Sequence, residues 1–491
     1  LSTISPEATN ALNVKDPSLY NEDLAPVPKE KRNWNWINYT TVWMGMVHNI
    51  VAYETAGSLL GLGMSVWQAL ATVIIANIIL IIVMWLNSVA GAKYGLPFPV
   101  LVRASFGYNG AHFPILIRAF VAIFWFAVQA YAGSMAVGAV LGALIPGWNS
   151  LSAFNILGMG LNEAIAVALF WILHAYIISH GMERVKFFEL WAGPLVIVLG
   201  LGLVVWAIFV SRGLGPLFEE PSTLSGGEFW GIFWVSVTGL VGTWATLILN
   251  IPDFTRFSRS QRDQVIGQAI GLPGTAILFA IMSIITTSGT VIAFGEPIWN
   301  PVELLQRFDN PIVLILGAFA LLIATLSVNV AANVVSPAYD LVNLLPQKLT
   351  FVRAGLISIV VAIFFMPWLW FDNAGTIFNV LGAIGGALGP VAGIMVADFY
   401  FVRKGNYDLD SFYKKDGIYA YKNGWNPKAL IALGIGLLAS FIGLIIPALQ
   451  QLYTYSWFLG IGAGFVSYLL LMRTSSSGQE AEIEKAPPTV N

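Results

Sequence analysis

Between Asn33 and Arg473 the chain repeatedly runs for twenty residues or more without a charged side chain. The long stretches cover 33–53, 55–92, 119–162, 190–211, 229–252, 264–295, 310–339, 373–397 and 429–472, with shorter ones at 164–182 and 354–371. A helix needs about 20 mostly apolar residues to cross a hydrocarbon core about 30 Å thick. Each stretch therefore reads as one membrane span, or as two where Gly, Pro and Ser divide it. The division predicts an all-α integral membrane protein of twelve transmembrane helices. They fall near 35–61, 65–92, 107–141, 161–180, 188–211, 229–252, 263–292, 311–342, 352–369, 374–402, 427–447 and 454–472. The strict alternation of a membrane β-barrel, about ten residues per strand, is absent.

Only 10% of the 491 residues are charged, against roughly 25% in a soluble globular protein. No polar linker divides 33–473 into the separate domains a soluble chain of this length would form. A soluble enzyme, a secreted disulfide scaffold (there is no cysteine) and a disordered chain are excluded. Transporter, channel, receptor and intramembrane enzyme remain open. The few charges are sorted by side. With both ends inside, the cytoplasmic segments hold 22 of the 24 Lys and Arg, and the outside loops hold only Arg212 and Arg307. That asymmetry follows the positive-inside rule and favours an even number of spans. It predicts a multi-pass protein of the cell (inner) membrane with both termini cytoplasmic. The first thirty residues lack the apolar core of a signal peptide, and the tail after Arg473 reads as disordered. A net charge of −2 without a basic aromatic surface gives no nucleic-acid partner, and no obligate protein partner is indicated.

Polar groups inside spans are costly in lipid and mark cavities or helix contacts. The first helix carries Gly45, His48, Asn49 and Glu54 at mid-membrane depth, a density that predicts an interrupted helix lining a cavity. The third carries Trp125 and Gln129, one turn apart on one face. The sixth has Thr238, Gly239, Gly242, Thr243 and Trp244, which fit either close helix contact or a second break. The eighth has Ser327, Asn329, Asn333 and Ser336, whose amides need partners, from a ligand or from other helices. The tenth is rich in small residues from Leu381 to Pro390. Asn49 precedes Pro194 by 145 positions and Trp244 precedes Pro390 by 146, a faint repeat that points to an inverted-repeat transporter with its site at the midplane.

Apart from Glu54 these positions offer no fixed ion, so amino acids and phosphates would lack a counter-charge. Indoles and amides suit a neutral ring with N–H and C=O on its rim, such as a ureide or nucleobase. A channel or a non-transporting sensor on the same scaffold is the competing class. The enzyme reading ranks third, because the four histidines (48, 112, 174 and 180) are scattered and no nucleophile–base pair is evident. No cofactor is indicated.

The segments WMGMVHN (43–49), KYGLPFPVLVRASFG (93–107), AIFWFAVQAYAG (122–133), GTWATLILNIPDFTRF (242–257), SVNVAANVVSPAYD (327–340) and LGPVAGIMVADFYFVRKG (388–405) resemble nucleobase–cation symporter family 1. The resemblance spans nearly the whole chain and is nearer to the bacterial allantoin permeases than to the hydantoin transporters. It implies a LeuT-type fold and alternating access. The segments would then be a cytoplasmic N-terminus (1–32), two inverted five-helix repeats (33–212 and 213–405), two further helices (406–472) and a cytoplasmic tail (473–491). It also implies a site in which Trp125 and Trp244 sandwich the substrate ring while Gln129 and Asn333 hydrogen-bond it. Asn49 stands where the hydantoin transporter has glutamine, Thr243 where it has glycine, and Leu381 on the gating helix over the substrate. The family's sodium site falls on Gly45, His48, Ala324, Ser327 and Val328. Val328 supplies no hydroxyl, so the reading favours H+ over Na+ as the coupling ion, with Glu54 the candidate proton carrier. The cargo expected is allantoin or a close neutral hydantoin or ureide. The alternatives within the family are uracil, cytosine, purines or a hydantoin.

Overall fold

Where no water can hydrogen-bond the backbone, each spanning segment must satisfy its own N–H and C=O groups, and the uncharged stretches fold as helices for that reason. The computed structural model describes residues 16–20, 24–179, 182–219, 221–345, 348–371 and 373–473. The tail expected to be disordered lies outside them, as do residues 1–15. Helix α1 is a pair, Trp36–Val47 and Ile50–Gly61. It is followed by α2 (Val66–Tyr94), α3 (His112–Leu144), α4 (Leu161–Ser179), α5 (Met182–Val210) and α6 (Gly226–Thr255). Then come α7 (Gln261–Phe294), α8 (Pro311–Leu344), α9 (Phe351–Leu369), α10 (Gly375–Val402), α11 (Pro427–Ile445) and α12 (Pro447–Arg473). Among the described residues ten of these are long and apolar enough to cross a membrane. The α1 pair and α5 stand where the first and fifth spans are expected.

Side-chain burial follows the membrane reading. On α2, Ile75, Ile78, Ile82 and Leu86 form an exposed apolar stripe, while Val73, Ala76, Leu80 and Met84 are buried. A helix in lipid can leave its isoleucines outward and turn small residues toward its neighbours. The ends of α2 are set locally. Ser65 and Gln68 form a capping box at its start, and Gly95 in the left-handed region (φ 73°) ends it. The Arg32 guanidinium then donates to the carbonyls of Lys93 (3.1 Å) and Tyr94 (2.9 Å). The described part of the N-terminal segment is thus fastened to the helix bundle. Arg103 donates to Leu19 O (2.9 Å) and Tyr413 Oη to Leu24 O (2.8 Å) in the same region.

At one end of the bundle α3 and α8 share a buried ion pair. Arg118 Nη1 lies 2.5 Å from Asp340 Oδ2, and both side chains are 1% exposed. Asp253 of α6 interacts electrostatically with both, and its Oδ1 accepts from Phe98 N (2.7 Å) at the start of the short helix Phe98–Phe106.

Several elements lie outside the sequence reading. They include the helices Phe98–Phe106 and Pro301–Gln306, a two-residue hairpin (Asn155–Ile156 with Met159–Gly160), and π-helical turns at Ile270–Gly274, Val330–Val334 and Ala397–Val402. Helices α5 and α10 run unbroken through Pro194 and Pro390. The interruptions fall in α1, at His48–Asn49, as its polar residues predict, and in α6, at Trp244, the second break that helix could hold; each is the first helix of an expected repeat.

Candidate functional site

The break in α1 is built by two side chains. His48 (φ −81°, ψ 82°) and Asn49 (φ −142°, ψ 165°) leave the helical region. Asn49 Oδ1 then accepts from Ala52 N (3.0 Å), capping the second half. Its Nδ2 donates to Met46 O and Val47 O (both 3.3 Å). His48 Nδ1 is hydrogen-bonded to Met44 O, and its ring meets Phe279 edge-on at 5.0 Å. The last four carbonyls of a helix have no intrahelical partner. Here these side chains take up three of them and leave that of Gly45. Both ends of the Asn49 amide are engaged in the break itself.

The α6 interruption lies beside it. Trp244 (φ −105°, ψ 5°) joins the two halves of α6, and its ring meets Trp43 of α1 edge-on at 5.9 Å. Thr243 Oγ1 donates to Gly239 O (3.2 Å). Thr243 and Trp244, with Val47, Ala52, Thr55 and Phe279, line a cavity of about 40 Å³. Across from it α10 approaches so closely that a Cβ on Gly242 would lie 2.1 Å from Leu381 O. Leu381 is buried against this contact. Gly242→Ala is therefore expected to force α6 and α10 apart and lower stability by about 1–3 kcal/mol, readable as a lower unfolding temperature in detergent.

The second group of residues sits on α3 and α8. Trp125 and Gln129 are buried, and neither Trp125 Nε1 nor Gln129 Oε1 has a hydrogen-bond partner among the described residues. Buried polar atoms without partners are uncommon in native proteins and call for an explanation. On α8, Asn333 lies in the π-helical turn Val330–Val334 and donates from Nδ2 to Asn329 Oδ1 (2.9 Å). Single π turns often mark functional sites. Asn329 in turn donates to Phe126 O (3.1 Å) and is 3.2 Å from His174 Nε2 of α4. The pairing of Asn329 with Asn333 is visible in the sequence as two amides one turn apart. His174 is not, because only the contact of α3, α4 and α8 brings it there.

The structure thus brings Asn49, Thr243, Trp244 and Leu381 together around α1, α6 and α10, and Trp125, Gln129 and Asn333 together on α3 and α8. The two groups meet where Ile50 N, just past the α1 break, faces Thr325 Oγ1 of α8 at 3.5 Å. Ala324, Ser327 and Val328 are buried on that stretch of α8, and Glu54 is buried in the second half of α1. The cation donors on offer are backbone oxygens such as that of Gly45 and the Ser327 hydroxyl. Among the described residues no group of three or more His, Asp or Glu could hold a metal ion. A larger cavity of about 310 Å³ opens between α3, α4 and Pro301–Gln306, lined by Ser134, Trp148, Asn162, Glu163 and Asn300 among others. Indole faces and uncharged amides at a break between helices can bind a flat neutral ligand, and they offer nothing to balance a charged one.

Comparison with known proteins agrees with the fold. Residues 26–460 match the family described as "Permease for cytosine/purines, uracil, thiamine, allantoin". The allantoin permease of Bacillus subtilis (strain 168) is 48% identical over 459 residues, covering 93% of each chain. Among solved structures, the inward-facing conformation of Mhp1 superposes with a TM-score of 0.75 at 24% identity, covering 97% of this chain and all of that one. Mhp1 in a closed conformation with bromovinylhydantoin bound, described as a nucleobase-cation-symport-1 family transporter, gives 0.73 at 24% identity over 94% and 96% of the two chains. These likenesses give the LeuT-type fold. With most of its length matched, this chain belongs to the family of permeases for cytosine and purines, uracil, thiamine and allantoin, and is a multi-pass membrane transport protein rather than an enzyme.

Proposed function

We propose that the chain imports allantoin, or a closely related neutral hydantoin or ureide, across the cell membrane by cation-coupled alternating access, with both termini in the cytoplasm. The observation that carries the reading is the pair of buried, uncharged and unfilled groups on α3, Trp125 Nε1 and Gln129 Oε1, beside the place where the α1 break meets α8. Trp125 and Trp244 stack on the two faces of the ring, and Gln129 and Asn333 bond its amide edge. Thr243 borders the ring, and Asn49 holds the α1 break that frames it. Leu381 on α10 acts as the gate. The name of the Bacillus relative supports allantoin, and the hydantoin bound to Mhp1 supports the ring class. A thermal-shift screen across hydantoins, ureides, purines and pyrimidines tests the substrate, since a ligand that binds only the folded state raises apparent stability. The largest shift is expected with allantoin. A larger shift with uracil, cytosine or a purine would replace it by a nucleobase.

For coupling, a proton fits better than sodium. Sodium takes several oxygen ligands, and Gly45, His48 and Ala324 supply backbone carbonyls and Ser327 a hydroxyl, but Val328 has no side-chain oxygen. Glu54, buried and carboxylic, is the proton carrier in this reading. Uptake is expected to fall as external pH rises and to change little when choline replaces sodium. A steep sodium dependence at fixed pH would overturn proton coupling. Currents far above carrier turnover would favour the channel reading, and tight binding without uptake a sensor.

A further inference from the structure

The amide chain beside the site continues beyond what ligand contact requires. Asn333 Nδ2 donates to Asn329 Oδ1 (2.9 Å), and Asn329 uses its own amide nitrogen inside the protein, on Phe126 O and His174 Nε2. His174 is wholly buried between the rings of Phe126 and Phe170, with centroids at 4.9 and 4.6 Å. The shell around it is apolar, including Trp171, Ile177, Leu326 and Val330. Its Nδ1 lies 2.8 Å from Phe170 O. A carbonyl oxygen only accepts, so Nδ1 carries the ring proton and Nε2 is left as a lone pair that accepts from Asn329. Each link then fixes the next. The Asn329 nitrogen must face the imidazole, its oxygen must face Asn333, and Asn333 must turn its own nitrogen inward. The Asn333 oxygen is left for a ligand. An isolated asparagine could present either end of its amide.

We propose that His174 is a positioning residue: together with the Phe126 carbonyl it holds the Asn329 amide, and through Asn329 it sets Asn333 to offer a carbonyl oxygen, so the transporter selects rings that carry an N–H at that edge. This rests on Asn333 contacting the ligand, as proposed above. His174→Leu removes one of the two acceptors of the Asn329 nitrogen and leaves the Phe126 carbonyl alone to hold it, which loosens Asn329 and with it Asn333. His174→Gln keeps an oxygen within reach of Asn329.

Two measurements test this, and the first needs no ligand. In protein labelled with nitrogen-15 at histidine, the signal lost in His174→Leu is expected to be that of a ring protonated at Nδ1. A ring protonated at Nε2 overturns the proposal. The second compares binding of hydantoin and its two N-methyl derivatives by calorimetry. Wild type is expected to prefer hydantoin over one derivative by about tenfold or more, the scale of one lost hydrogen bond to a buried partner. His174→Leu is expected to lose part of that preference, since the Phe126 carbonyl still holds Asn329, and His174→Gln to restore it. Unchanged preference in His174→Leu overturns the proposal. Absence of any hydantoin or ureide binding to wild type overturns the substrate reading instead, and is read from wild type alone.

Discussion

Uptake of labelled allantoin is expected to fall about ten- to a hundredfold in Gln129→Ala and again in Asn333→Ala, with the protein still folded and inserted. Each change removes one polar partner from a closed site, so the ligand group it served enters the site unbonded. Such a loss costs about 1–3 kcal/mol, and 1.4 kcal/mol is a factor of ten. A site built to hydrogen-bond its ligand is sensitive in this way because the alternative to the bond is a buried, unpaired group. Neither residue should matter much to folding. Gln129 makes no hydrogen bond through Oε1 among the described residues, and Asn333 holds only the oxygen of Asn329. Wild-type uptake in both variants, at equal surface expression, would place the site elsewhere.

The second large effect concerns stability. Removing one member of a buried ion pair leaves the other uncompensated, at a cost of about 3–5 kcal/mol. Arg118→Leu is expected to be the most damaging single change at the α3–α6–α8 junction, because it leaves Asp340 and Asp253 facing each other without the cation that both interact with. Asp340→Leu should cost less, since Asp253 still interacts with Arg118. The double change Arg118→Met with Asp340→Leu should recover part of the loss, as buried ion pairs replaced by apolar residues often do. Thermal unfolding in detergent gives the order. Equal loss in the two single variants would mean that Asp253 takes no part.

Much of this molecule is legible without coordinates, because lipid leaves few choices. The uncharged stretches predict the helix positions within a few residues, as at 263–292 against Gln261–Phe294. The break in α1 was legible from the density of Gly45, His48 and Asn49, and its cause is local, since Asn49 caps one half and bonds the other. Trp125, Gln129 and Asn333 were legible as polar groups in apolar surroundings. Other features depend on partners far apart in sequence. His174 reads as one histidine on an apolar helix until α4 meets α8 at Asn329. The Arg118–Asp340 pair joins residues 222 positions apart and reads from the sequence only as one basic and one acidic residue near the ends of two separate spans. The Gly-Pro pairs of the faint repeat mark corresponding places in the two halves and not the breaks themselves. Both prolines are carried inside continuous helices, and the interruptions fall at Asn49, where side chains take over from the helical hydrogen bonds, and at Trp244.

The central claim is that this chain carries a neutral ureide by alternating access, and counterflow tests it most directly. Purified protein is placed in vesicles loaded with unlabelled allantoin, with no ion gradient, and labelled allantoin is added outside. A carrier exchanges one for the other, so label is expected to rise transiently above its equilibrium level, and Gln129→Ala should abolish the overshoot. Label that equilibrates without overshoot, or that does not enter at all while a nucleobase does, would contradict the account.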